Sequence, residues 1–500
     1  MKKIIAFGTA LIASLAMHAQ TAAQAYVKVL EGSEELRDAV WGVLAVKVNG
    51  DTVACYRPNT RMLPASNTKL ITTGLALNEF GENHRFSTHL AYTGEIKNGV
   101  LDGDLYIVGG GDPTIASGDS ISIHTKDLFA RWEKMVRSAG IKKIDGRIIG
   151  DGRYLDGETE HLSWEIEDVG YDYAPGGNGL CFYENIAKFK ITPGKLAGDA
   201  VGVESVYPKT PWITLSTPCV TAEKGTGNDL YYVTTDMAPV AEMRGTIEAG
   251  RKPFTMSCSN KYGALTCAYY FYKHLSDNGI VAKLGPAEVD SRGYIRDFSG
   301  DKMPKAVAFE NMNQIGVTQS PTLFDIIRKT NYDSDNFYAE SLLRLMSKVL
   351  TGSACYDSCA VARSIALDHI GVETEKNVRI KDGSGLSRED YISPEFFVDF
   401  LKHMRATPVW DAYLHSLPQP TKGTLTTRLR TAPSSVKSRI YMKSGSMGGV
   451  RCFSGYIIPT GGDSSQTIIF SVLTNNAIVD VSRINFCLDK LIGLMAEENK

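Results

Sequence analysis

Ala65-Ser66-Asn67-Thr68-Lys69-Leu70-Ile71-Thr72-Thr73-Gly74-Leu75-Ala76-Leu77 is the stretch on which the reading of this chain turns. Its apolar residues recur at helical spacing as far as Phe80, so Ser66 stands at the N-terminal end of a buried helix. Residues three apart on a helix share a face, which brings the Lys69 amine to the Ser66 hydroxyl. The helix N-terminus also favours negative charge developing on the serine oxygen. Two other Ser-x-x-Lys matches, at Ser299 and Lys302 and at Ser434 and Lys437, neither follow a strand hairpin nor open a buried helix.

Working outward, residues 40 to 56 read as a hairpin turning at Asn49-Gly50, and a loop with Pro58 and Pro64 leads into the helix. Near the other end, 438 to 443, 450 to 458 and 467 to 473 read as strands, and 481 to 496 as a helix. The two ends of the chain therefore supply one sheet with its flanking helix, an α/β (α+β) domain.

Two further motifs belong to that domain. Ser334-Asp335-Asn336 precedes Phe337-Tyr338-Ala339-Glu340-Ser341-Leu342-Leu343, a helix whose start can aim Ser334 and Asn336 into a cleft. Lys443-Ser444-Gly445 is expected to end a strand, with Ser446-Met447-Gly448-Gly449 turning out of it; a glycine there lets a ligand lie against the strand backbone. A second Ser-Asp-Asn, at 276 to 278, runs into Gly279 and reads as a helix C-terminus. About 265 residues separate the first motif from the second and about 105 the second from the third, so the domain carries a large insertion. From 90 to 290 the runs are short, β-rich and studded with glycine until a helical pattern at 262 to 276, which makes the insertion mainly β. Gly109-Gly110-Gly111-Asp112-Pro113 lacks the Gly-Lys-Ser/Thr ending of a phosphate loop and reads as a turn cluster.

The composition excludes several classes. Of 500 residues, 54 are basic and 56 acidic, with no sustained basic stripe, so nucleic acid is not an expected partner. Lys2 and Lys3, the apolar run from 4 to 16 and Ala23-Gln24-Ala25 have the layout of a secretory signal over 1–25, with a second cutting point around Ala19. That run is too short to cross a bilayer and no other is apolar enough, so no transmembrane segment is expected after signal removal. The 9 cysteines leave at least one without an intrachain mate; Cys355 and Cys359 read as two small core residues of a helix. Neither Cys-x-x-Cys nor His-Glu-x-x-His occurs, so neither metal nor cofactor is expected. A Gly-x-Ser-x-Gly elbow is absent too, and no histidine lies beside a candidate nucleophile, which leaves lysine as the base.

With these motifs the chain resembles the low-molecular-mass class C penicillin-binding proteins, the D-alanyl-D-alanine carboxypeptidase/endopeptidase family. The likeness extends to Asp382-Gly383-Ser384-Gly385-Leu386-Ser387-Arg388, Gly423-Thr424-Leu425, Ser454-Gly455-Tyr456 and the 470 to 476 strand with its asparagines. The resemblance implies a serine transpeptidase/β-lactamase-like domain over 26–90 and 291–500. It further implies an inserted domain over 91–194 and 251–290, and a third over 195–250 nested within that. It implies catalysis by Ser66, Lys69 and Ser334, with Lys69 neutral because burial and nearby cations depress its pKa. Asn336, Lys443, Ser444, Gly445 and Ser446 would bind substrate, Ser446 sharing the oxyanion hole with Ser66. The expected partners are peptidoglycan stem peptides ending in D-Ala-D-Ala or cross-linked, with β-lactams as inhibitors, in the periplasm. Two alternatives stand beside this. A serine β-lactamase would need a deacylating glutamate, offered superficially by Glu373-Thr374-Glu375-Lys376-Asn377, and a catalytically silent wall-binding protein would use only its inserted surface.

Overall fold

A computed structural model describes residues 20–290, 292–298, 304–373 and 378–498. Its catalytic sheet is antiparallel and five-stranded, in the order Thr52–Tyr56, Val40–Lys47, Ile468–Asn475, Val450–Ile457, Ile440–Met447. Val40 pairs with Asn475 and Lys47 with Ile468, so the two ends of the chain meet at the middle of the sheet. The strand Ile468–Asn475 is buried at every residue, as a central strand covered on both faces must be. Its period-2 alternation sends Ile469 and Leu473 to one core and Ile468, Phe470 and Val472 to the other. Thr68–Phe80 and Pro394–Arg405 contribute to the first core, and Ala22–Glu31 and Val481–Glu497 to the second.

The helix Ala22–Glu31 was not read from the sequence, because its start overlaps the small-residue end of the signal. Ala23, Val27 and Leu30 are buried in the second core. The Thr21 hydroxyl caps Gln24 N–H at 2.9 Å and donates to the Val53 carbonyl at 2.6 Å. Gln24 brackets Cys55, donating through Nε2 to its carbonyl and accepting its N–H at 2.7 Å. Residues 21–25, expected to leave with the signal, thus belong to the packed domain.

The inserted region holds a six-stranded sheet in the order Ile295–Arg296, Pro286–Val289, Ile148–Asp151, Leu105–Gly109, Ser87–Tyr92, Asn313–Gln319. Two of those strands fall in 291–319, which the sequence reading placed with the catalytic domain. Asn313–Gln319 pairs antiparallel with Ser87–Tyr92 instead, and Ile295–Arg296 with Pro286–Val289. The crossings lie side by side, with Ser320 N–H donating to Phe86 C=O at 2.9 Å and Phe86 N–H to Ser320 Oγ at 3.0 Å. Two strands flank the expected nested unit of 195–250. Strands Ile186–Thr192 and Phe254–Ser259 pair with each other, and Phe189, Ile191 and Cys258 share a core with Tyr232, Met243 and Ile247. An amphipathic helix, Thr125–Ser138, interrupts the β pattern and buries Leu128, Phe129, Trp132 and Val136.

Among the described residues no helix is long and apolar enough to cross a membrane. All nine cysteines are free thiols; Cys359 is buried in the helix Tyr356–His369 and Cys355 sits at its N-cap. Removing the Phe470 ring leaves a cavity between the central strand and the terminal helices. Phe470→Ala should cost about 3–5 kcal/mol, read as a lower urea midpoint of the catalytic domain; an unchanged midpoint would contradict this packing.

Candidate active site

The turn carrying Ser66 is pinned to the sheet before any chemistry is considered. Ala65–Asn67 form a short 3₁₀ turn that leads into the helix Thr68–Phe80. Asn67 Nδ2 donates to Ser454 Oγ at 2.8 Å, and Ser454 Oγ to Ser471 Oγ at 2.8 Å, across two strands. Asn475 clasps the approaching loop, accepting Leu63 N–H at 2.7 Å and donating to Leu63 C=O at 3.0 Å. Gly445 is required by close approach, since a Cβ there would stand 2.5 Å from the Pro64 carbonyl oxygen.

Lys69 is fully buried. Its Nζ donates to Ser66 Oγ at 2.9 Å, Asn336 Oδ1 at 2.6 Å and the Ser384 carbonyl at 2.8 Å. Three acceptors match the three hydrogens of an ammonium. Burial pushes its pKa down to about 8, against the opposing pull of Asp382, Glu340 and Asp335. Desolvation is the largest effect and outweighs the three carboxylates, and the Lys443 amine is the cation close enough to interact with it. When the amine loses a proton it keeps two N–H bonds for Asn336 and Ser384, and its lone pair is left facing Ser66.

Ser334 ends the helix Leu323–Asp333 in a left-handed conformation (φ 61°), and Asp335 caps the next helix, Asn336–Thr351, by accepting Tyr338 N–H at 2.8 Å. This sharp reversal turns Ser334 toward Lys443, whose buried Nζ donates to Ser334 Oγ at 2.9 Å and to the Ser444 carbonyl at 2.8 Å. Burial and the proximity of Lys69 push the Lys443 pKa well down. Ser444 Oγ donates to Thr424 Oγ1 at 3.0 Å. Lys443-Ser444-Gly445 does not end its strand as expected; Ile440–Met447 continues past it, and the turn comes at Gly448-Gly449. The difference matters, because Ile440–Met447 is an edge strand and its last residues, Ser446 and Met447, line the cleft.

The cleft has a volume of about 430 Å³ and holds Ser66, Asn336 and Ser446. Of the eight residues singled out in the sequence these three line it, Lys69 bonds to two of them, and Ser334 bonds to Lys443 on the strand that carries Ser444, Gly445 and Ser446. The sequence reading missed what walls and braces the cleft. Glu167, Asp168 and Tyr173 of the inserted region and Arg388 form a wall bearing both charges. Tyr173 donates from its hydroxyl to Asp168 at 2.8 Å, and its carbonyl accepts Asn336 Nδ2 at 2.9 Å. Glu340 and Asp382 lie behind Lys69. Glu340 carries no distinguishing signal in the sequence, since Asn336 and Arg344 share its helix face.

A serine held on a helix start beside a buried lysine defines a serine–lysine acyl-transfer site, the class to which fold and geometry assign this chain. The chain belongs to the D-Ala-D-Ala carboxypeptidase 3 (S13) family, whose model matches residues 23–492. It is 27% identical over 458 residues to a D-alanyl-D-alanine carboxypeptidase of Actinomadura sp. (strain R39), covering 88% of this chain and 78% of that one. It is 24% identical over 490 residues to the D-alanyl-D-alanine carboxypeptidase DacB of Haemophilus influenzae, covering 94% of this chain and 93% of the relative. The crystal structure of penicillin binding protein 4 (dacB) from that organism superposes with a TM-score of 0.77 at 21% identity, over 96% of this chain and 98% of that one. The serine transpeptidase/β-lactamase-like fold expected from the sequence is thereby borne out.

A neutral Lys69 acting as the base would make reactivity rise with pH through its pKa and level off above about 8. The rate constant for acylation by a β-lactam should fall about tenfold per pH unit well below that value. Stopped-flow acylation between pH 5.5 and 9.5 checks this, and a flat profile would rule out a titrating lysine base.

Proposed function

We propose that this protein is a serine-type D-Ala-D-Ala carboxypeptidase and peptidoglycan DD-endopeptidase that works through a Ser66 acyl-enzyme. The observation that carries the proposal is the Lys69 amine, buried between Ser66 Oγ and two fixed acceptors. Neutral Lys69 takes the Ser66 proton as Oγ attacks the carbonyl of the penultimate D-alanine. Negative charge moves to the carbonyl oxygen, where the backbone N–H groups of Ser66 and Ser446 receive it; each such donor contributes about 3 kcal/mol in comparable sites. The tetrahedral intermediate collapses as the amide bond breaks. Ser334, hydrogen-bonded to Lys443, relays a proton to the departing amine. Water then attacks the ester and frees Ser66.

The edge strand Ile440–Met447 offers its outer row of backbone groups to an extended peptide, which is how a stem peptide would lie in register. Lys443 and Ser444 receive the terminal carboxylate, and Asn336 meets the peptide amide. Glu167, Asp168 and Arg388 suit a substrate side chain that carries both an amino and a carboxylate group. β-Lactams enter by the same geometry, the ring amide standing in for the scissile bond. The enzyme would be exported to the periplasm, with the signal cut at the Ala19 candidate, since Thr21, Ala23 and Gln24 serve the folded domain.

Neither alternative gains a specific observation. Of the Glu373 to Asn377 segment, Glu373 is exposed beyond the helix Tyr356–His369, and 374 to 377 lie outside the described residues. A silent wall-binding protein would have no call for a complete Lys69 and Lys443 network. Intact mass after exposure to benzylpenicillin should show one persistent penicilloyl adduct on the wild type and none on Ser66→Ala, and a D-Ala-D-Ala peptide should lose D-alanine only with the wild type. An unmodified wild type with intact drug would overturn the proposal, and rapid drug turnover would favour the β-lactamase.

A further inference from the structure

Two acceptors aim the Lys69 lone pair, and both are braced from outside the three motifs. The Ser384 carbonyl belongs to the loop 382–387, whose N–H groups at 383, 384, 385 and 387 are accepted by two carboxylates. Glu340 Oε1 accepts the N–H groups of Gly383 (2.9 Å) and Ser384 (2.7 Å). Asp382 accepts Gly385 N–H through Oδ1 and Ser387 N–H through Oδ2, each at 2.7 Å. The loop is pressed onto the nucleophile turn: Gly385 has φ +81°, and a Cβ there would stand 1.9 Å from the Ala65 carbonyl oxygen. The Gly383 carbonyl accepts the Thr72 hydroxyl at 2.7 Å, so the loop follows the same helix that bears Lys69.

The inserted region reaches both acceptors. Trp164, 7% exposed, donates its indole N–H to Asp382 Oδ2 at 2.9 Å. Beside it, Ser163 and Ser387 hydroxyls are 2.5 Å apart. Nine residues on, the Tyr173 carbonyl takes Asn336 Nδ2, which leaves Asn336 Oδ1 facing Lys69. We propose that Trp164 and Glu340 are positioning residues for the base, holding the 382–387 loop so that the Ser384 carbonyl keeps one Lys69 N–H and the lone pair stays on Ser66. The inserted region is then part of the catalytic apparatus as well as a wall of the cleft. This inference rests on the acyl-enzyme reading above.

Glu340 has a second effect, through charge. Burial and Asp382 push its pKa up to about 7. Tyr356, Cys359 and Arg363 face it from the helix Tyr356–His369, and Arg344 stands one turn along its own helix. Asp382, with Asp390 behind it, faces it from the loop, and Lys69 from the nucleophile helix. Its carboxylate raises the Lys69 pKa, so removing that charge must lower it.

The test is the pH profile of acylation by benzylpenicillin for wild type, Trp164→Phe and Glu340→Gln, with thermal melting alongside. Phe keeps the apolar body and loses the indole donor; acylation should slow about tenfold while the drug's half-saturating concentration stays within twofold. Gln keeps an oxygen for the two loop amides and loses the charge, so the rising limb should move to lower pH by roughly 0.5–1 unit. Folded variants with wild-type rate and limb, even with lower melting temperatures, would overturn the inference and leave both residues as structural props. If Glu340→Gln fails to fold, Trp164→Phe decides alone. A wild type that never acylates overturns the acyl-enzyme reading itself, an outcome separate from active wild type with indifferent variants.

Discussion

An ammonium group withdrawn from water needs all three of its hydrogens satisfied, and around that requirement the catalytic domain is organised. The acceptors of Lys69 come from the nucleophile turn, from the second motif and from the 382–387 loop. None of those segments is near another in sequence, so burying one side chain fixes three parts of the chain relative to one another. The same burial brings the amine near neutrality. Desolvation, the structural cost of the site, is also what leaves part of the amine unprotonated near neutral pH and free to accept a proton.

The surrounding carboxylates work against that depression. Asp335, Asp382 and Glu340 all favour the protonated amine, yet two of them also hold the loop that receives it. A drier site with fewer acids would lower the amine's pKa further but have no means of fixing the Ser384 carbonyl. The geometry balances orientation against proton affinity, and the balance falls close to neutral pH.

The nucleophile helix, the terminal strands and all three motifs were legible because each is local. A turn signal, a 3.6 or 2.0 period and a short polar word suffice to place them. Domain limits were less so. Asn313–Gln319 and Ser87–Tyr92 lie far apart in the chain, and only their pairing shows that both belong to one sheet. Ala22–Glu31 was hidden because small residues serve a signal and a tightly packed helix alike. Trp164, Tyr173 and Glu340 were invisible for a related reason: a tryptophan in a loop has no period, and a backbone carbonyl has no letter. What acts on Lys69 through space leaves no spacing to count.

Val40–Lys47 completes its hydrogen bonds with Ile468–Asn475, close to the far end of the chain. An emerging polypeptide therefore displays Ser66 and Lys69 long before it possesses the strands on which their helix lies, while the unit around residues 187–258, closed on its own core, can already be folded. Synthesis acts as a timer. A chain interrupted anywhere before its last strand carries the reactive serine without a reactive site, so hydrolytic power arrives only with a finished molecule.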